Sequence, residues 1–237
     1  MSVGSRVRSE LHGHIRGRGF IAKAALGLSD GLVTNLTLLS GFAGAQSNIG
    51  LIRSAGVAAM LAGAISMFFG GVLAGRSEVE LFQADLKREL TEIEMEPEEE
   101  KQELRDFYTK KGLSAEEAHM VVDRVSRDKN KFLEDLMIHE LHLHETSLTD
   151  PSKSGLVIGG AFLAGSLMPL WPYLVLSDHA QSVLVSLSIS LLFLFLVGGW
   201  KARIAKTKVW RGGLETIIVG AAASALLYLV GFIFGFF

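Results

Sequence analysis

Asp30 stands inside an apolar run, 20–45, where a carboxylate costs a few kcal/mol unless it faces a polar cavity or a partner. In helical geometry Lys23, Asp30, Thr34, Thr37 and Gly41 fall on one stripe, and Ser29 and Asn35 crowd the same stretch. That pattern fits a cation pathway better than a packing role. A second apolar run, 54–75, puts Met60, Gly63, Ala64, Met67, Gly71 and Ala74 on one face, which reaches Glu78 at its end. Small residues let helices approach closely. A thioether among them is a soft, weak ligand for a passing transition metal. Met67 therefore gains its interest from Asp30.

A third set of residues is acidic. Asp85, Glu89, Glu92 and Glu96 follow the i, i+4, i+7, i+11 pattern of one helical face, and Glu100 and Glu103 follow at i, i+3. Farther on, Met137, Glu140 and His144 share a face with Leu133 and Leu141. Carboxylates and an occasional imidazole from separate helices are how helical bundles hold pairs of iron or manganese ions, and hard oxygen ligands suit Fe²⁺ or Mn²⁺. The same spacing also describes an acidic face in water. His139 and His142 point to the Asp135 side and read as surface residues. A ferritin-like protein that stores or oxidises iron needs Glu-x-x-His duplicated on paired helices, and Glu116 with His119 is a single copy. The residues therefore favour a transporter over an enzyme.

The elements that must position these groups follow from composition. Of 237 residues, 49% are hydrophobic, 26 are glycine and none is cysteine, and the mean hydropathy is +0.35. Thiolate sites and disulfides are excluded. Of the 25 acidic residues, 21 lie between Arg76 and Lys153, marking a separate, water-exposed piece. Crossing a bilayer takes roughly 20 apolar residues, and five stretches qualify: 20–45, 54–75, 154–176, 181–200 and 213–237. The expected fold is all-α, a polytopic membrane protein of five spans. A tail at 1–19 precedes spans one and two at 20–76, a helical metal-binding insert occupies 77–153, and spans three to five occupy 154–237. Trp171, Trp200 and Trp210 sit at expected span ends, where amphipathic rings prefer the interface.

Basic residues orient the chain. Arg6, Arg8, Arg16 and Arg18 fill the tail, and Lys201, Arg203, Lys206, Lys208 and Arg211 fill the loop before the last span. Tail, insert and that loop are thus expected on the cytosolic side. Within the insert the second span runs on as one helix to about 94. Pro97 opens the next helix, Gly112 suits its end, and Ser114 with Glu117 makes a capping box for a third. A fourth is expected over 131–147.

These residues carry a family resemblance. SDGLVTNLTLLSGFAGA at 29–45 resembles the first-span signature of the vacuolar iron transporter family, and AGAISMFFGGVLAGRSE at 62–78 is similar to its second-span motif. KRELTEIE at 87–94 resembles the start of its cytoplasmic metal-binding domain, and LETIIVGAAAS at 214–224 its last span. The resemblance implies a homodimer whose pathway runs between protomers, lined by the first two spans, with Asp30 and Met67 as pathway ligands. It implies metal binding by Glu89, Glu92, Glu100, Glu103, Met137 and Glu140, to which the helical spacing adds Asp85, Glu96 and His144. Fe²⁺, and often Mn²⁺, would be cargo moved out of the cytosol in exchange for protons. A lipid bilayer is the expected surrounding, with no prosthetic group and no nucleic-acid partner. A vacuolar and a bacterial cytoplasmic membrane suit the chain equally. Ala59 stands where plant-like members have a glutamate, Gly19 and Lys23 where they have acidic residues, and Leu136 where they have a methionine. These departures bear on proton coupling and ion access more than on the insert.

Overall fold

The computed structural model describes residues 3–139 and 150–235, with side chains over 19–138 and 150–235. Among these every regular element is a helix: α1 (Val3–Gly44), α2 (Ile49–Met95), α3 (Pro97–Lys110), α4 (Ala115–Val125), α5 (Lys129–His139), α6 (Pro151–Val175), α7 (His179–Ile204) and α8 (Val209–Phe234). They fall into two units, one of Met1–Arg16 with Ala74–Thr149, the other of Gly17–Leu73 with Asp150–Phe237.

In the second unit α2, α6, α7 and α8 are long and apolar enough to cross a membrane. The expected first span, in α1, is not among them, because Ser29, Asp30, Thr34, Asn35 and Thr37 dilute its apolar character. The unit's outer surface is set with exposed Leu61, Ile65, Phe69, Leu73, Leu226 and Phe234. Water does not tolerate such a continuous apolar surface, whereas lipid does. With lipid as apolar as leucine, the helices are held by close packing and hydrogen bonds. Gly31 on α1 is the clearest case: a Cβ there would lie 2.1 Å from the Phe162 carbonyl oxygen, so only glycine lets α1 and α6 meet. Beside it, Asn35 Nδ2 donates to the Ser166 carbonyl at 2.9 Å, and Ser166 Oγ donates back to the Gly31 carbonyl at 3.1 Å. Arg53 on α2 caps the far end of α6, donating to the carbonyls of Tyr173 and Leu176, where a cation also complements the helix dipole.

The acidic unit is built on local signals in its chain. Pro97 sits in the first turn of α3, followed by Glu98, Glu99 and Glu100 at the positive end of the helix. Gly112 turns the chain with φ +103°, a region open to glycine. Ser114 accepts from the Glu117 N–H while the Glu117 carboxylate accepts from the Ser114 N–H at 2.8 Å, completing the expected capping box. Those hydrogen bonds hold the Glu117 carboxyl below the usual carboxylate range. Ile93, Leu104, Val122, Phe132 and Leu136 form the core, uniting α2, α3, α4 and α5. Three polar links surround it: Lys129 with Glu94, Arg105 with Asp123 at 3.6 Å, and Tyr108 Oη donating to Asp135 at 2.7 Å. Burial and the neighbouring Asp135 push the Tyr108 hydroxyl well above its ordinary value.

Candidate functional site

The two polar faces of α1 do different things. Asn35, fully buried, is spent on the α6 contact described above. Asp30, on another face, is half-buried and receives only a long 3.5 Å contact from Thr34 Oγ1. It opens instead into a cavity of about 630 Å³ between α1, α7 and α8, with Ser29 beside it and Lys201, Thr207, Glu215 and Thr216 around it. The Lys201 ammonium and the Glu215 carboxylate thus join Asp30 from 171 and 185 residues away in sequence. Glu215 carried the same signal as Asp30, an acid in an apolar stretch. The partnership was invisible because spacing along one helix says nothing about its neighbours.

The stripe drawn through Asp30 does not stay on one contact. Lys23 Nζ donates to Ser154 Oγ at 2.8 Å, tying α1 to the start of α6, while Gly41 lies against Leu227 of α8. Met67 is partly buried on α2 and is not a wall of the Asp30 cavity. Its face packs on α6, with Gly63 against Phe162 and Gly71 against Gly155. The opposite situation holds along Ser54, Ala58, Ala62, Ser66, Gly70 and Ala74, which recur every fourth residue and are all exposed. Beside them run the bulkier exposed Leu61, Ile65, Phe69 and Leu73. A small-residue groove flanked by a ridge is left open on α2.

In the acidic unit the expected stripe divides. Glu89 is 0% exposed and Glu100 6%, and Met137 joins them inside at 4%. Glu92 and Asp85 are partly exposed and lie on either side of Arg88, at 3.6 and 4.0 Å. Glu96 and Glu103 are exposed. Glu96 precedes Pro97, and its carbonyl receives the N–H groups of Glu99 and Glu100. Glu140 and His144 lie outside the described residues, as do His142 and the side chain of His139. Among the described residues no three His, Asp or Glu groups converge on one point. Two carboxylates, from α2 and α3, and a thioether from α5 are buried in this unit. His119 turns to Asp123, Nδ1 to carboxylate 3.2 Å, on the surface of α4, so its Glu-x-x-His is not built into a site there.

Known proteins resemble this chain along most of its length. The family model described as VIT family matches residues 21–232. Vacuolar iron transporter 1 of Oryza sativa subsp. japonica is 33% identical over 231 residues, covering 95% of this chain and 92% of its own. The protein of the same name from Arabidopsis thaliana is 32% identical over 215 residues, 91% and 86% of the two chains. The vacuolar iron transporter of Plasmodium falciparum is 31% identical over 214 residues, 86% and 78%. With motifs, helices and relatives in accord along nearly its whole length, this chain is a polytopic integral membrane protein and belongs to the VIT family.

Proposed function

We propose that this chain is a homodimeric exporter of Fe²⁺, with Mn²⁺ as a second cargo, moving metal out of the cytosol in exchange for protons. The observation that carries the reading is the setting of Asp30: an intramembrane carboxylate that opens into a polar cavity while its neighbour Asn35 does the packing. In this reading residues 20–44 of α1 form a fifth, polar span, and the tail, the acidic unit and the α7–α8 loop face the cytosol. The basic residues of the tail and of 201–211 support that orientation. The open small-residue groove on α2 supports a partner copy packing there, since small residues every fourth position suit close helix crossings in lipid. A second α2 on that groove would bring the two α2 helices into contact, while Asp30 keeps its own cavity within each protomer.

The buried pair Glu89 and Glu100, with Met137, supports a cytosolic collecting site, to which Glu92, Glu103 and Glu140 would add ligands, with Asp85, Glu96 and His144 as possible extras. Transfer works if each station binds through few ligands and partial hydration, so that metal is released as readily as taken. The test is Fe²⁺ uptake into proteoliposomes by the Asp30→Ala protein. Loss of flux with the dimer intact supports the reading, and flux equal to that of the unaltered protein removes Asp30 from the pathway.

A further inference from the structure

The Asp30 cavity has a counterpart on the same three helices. Farther along α1, α7 and α8, a second cavity of about 380 Å³ is lined by Ser40, Ser186, Ser224, Tyr173 and Tyr228 among apolar side chains. No charged residue lines it, whereas Asp30 of α1, Lys201 of α7 and Glu215 of α8 line the first. Ser224 is 4% exposed, and its buried hydroxyl has no hydrogen-bond partner among the described residues. A buried hydroxyl that faces a cavity and lacks a protein partner is satisfied by water. At ~30 Å³ per molecule the cavity has room for roughly ten.

What separates the two cavities is short and apolar. The nearest α7 residues on either side are Leu191 and Gly198, roughly 10 Å apart at 1.5 Å rise per residue. Between them Leu194 is 0% exposed and packs with Leu32 and Leu36. Gly220 of α8 makes room for it, since a Cβ there would fall 2.5 Å from Leu194 Cδ1.

We propose that the seam between α1, α7 and α8 is a water-lined proton route through each protomer, closed at its middle by Leu194. It rests on the exchange reading above and gives the proton a path distinct from the metal's. The Ser40 and Ser186 hydroxyls donate to the Leu36 and Pro169 carbonyls, so water held at Ser224 relays the proton, and the far cavity offers a divalent metal neither carboxylate nor thioether. The seam therefore passes protons and rejects the cargo, and Asp30, which lines the first cavity, is where the two fluxes meet.

The chain has no cysteine, so single cysteines report without background. In proteoliposomes the full-length Ser224→Cys variant should react with a charged, membrane-impermeant thiol reagent, while Leu226→Cys, on the lipid-facing surface, should not. Leu194→Ala should raise the metal-free proton leak, followed with a trapped pH dye, several-fold. Adding Ser224→Val to it should return the leak to the unaltered level by drying the far cavity. An unreactive Ser224→Cys variant, or a leak unchanged by Leu194→Ala, overturns the seam. If the unaltered protein takes up Fe²⁺ without moving protons, the exchange reading fails, and the leak and labelling results still judge the seam.

Discussion

Asn35 and Asp30 sit five residues apart on one helix, and the structure gives them opposite consequences on removal. Asn35→Ala deletes an interhelical hydrogen bond of 2.9 Å to the Ser166 carbonyl. In membrane helices such a bond contributes about 0.6 kcal/mol on average and up to about 1.7. Truncating a fully buried side chain by roughly 30 Å³ adds about 0.7 kcal/mol of cavity cost. Together the loss is about 1–2 kcal/mol, or roughly 3–6 °C in Tm for a chain of this size. Asp30→Ala removes a long contact from Thr34 and, on the proposed reading, takes a carboxylate out of the bilayer, where it is costly. Its Tm should stay within about 2 °C of the parent or rise. Thermal unfolding in detergent, read beside Fe²⁺ uptake in liposomes, separates the two. Asn35→Ala should lower Tm and keep flux per folded molecule, and Asp30→Ala should keep Tm and lose flux. Equal Tm losses with equal flux losses would mean that both side chains are packing groups, and the assignment of the two faces of α1 would collapse.

Three further outcomes are expected. Glu89→Gln with Glu100→Gln should lower the number of Fe²⁺ ions bound in calorimetry more than Glu103→Gln, because the first two are buried and the third exposed; equal stoichiometry in all would make the buried pair structural. Gly70 has open space around it, so Gly70→Leu should leave the protomer's Tm unchanged and shift the cross-linked population from dimer to monomer, and a persisting dimer would move the interface off the α2 groove. Lys129 holds the Glu94 carboxyl below the usual carboxylate range, as Lys101 does for Glu98. A depressed carboxyl stabilises above its unfolded value and loses that contribution as pH falls through its folded one. Helical signal should thus decline only under acid conditions, and Lys129→Met should move the decline to higher pH.

The parts of this molecule that were legible in its sequence are those whose cause is local. Pro97, Gly112 and the Ser114–Glu117 box determine the ends of α3 and α4 through bonds within four residues, and they lie where the pattern puts them. The long α2 likewise follows from an unbroken run to Met95. The acidic stripe was legible as a face and illegible as a site. Glu89 and Glu92 differ by less than one turn, yet one is buried and the other pairs with Arg88 in water. What decides between them is the packing of α3, α4 and α5 on Ile93, a property of three other segments. Lys23 shows the same limit from the other side. In the sequence it is a cation leading into a pathway, whereas in the fold its ammonium is engaged by Ser154, 131 residues away.

Hydropathy singles out α2, α6, α7 and α8 and passes over α1, and the reason bears on function. A span that only has to sit in lipid maximises its apolar content. A span that has to line a wet route cannot, since every group it offers to water or metal lowers its own hydropathy. Three polar groups of α1 are met from other helices: Asn35 by Ser166, Lys23 by Ser154, and Asp30 by the α7–α8 cavity, while Ser29 and Ser40 donate to carbonyls of α1 itself. Those three are compensated by helices more apolar than α1. On the proposed reading, that division of labour lets the least apolar of the long helices carry the pathway carboxylate. It also predicts where tolerance ends: replacing Ser166 with valine should destabilise by deleting the hydroxyl that donates to the Gly31 carbonyl, leaving that close α1–α6 contact without its second hydrogen bond, while Asn35 keeps its bond to the backbone carbonyl of position 166.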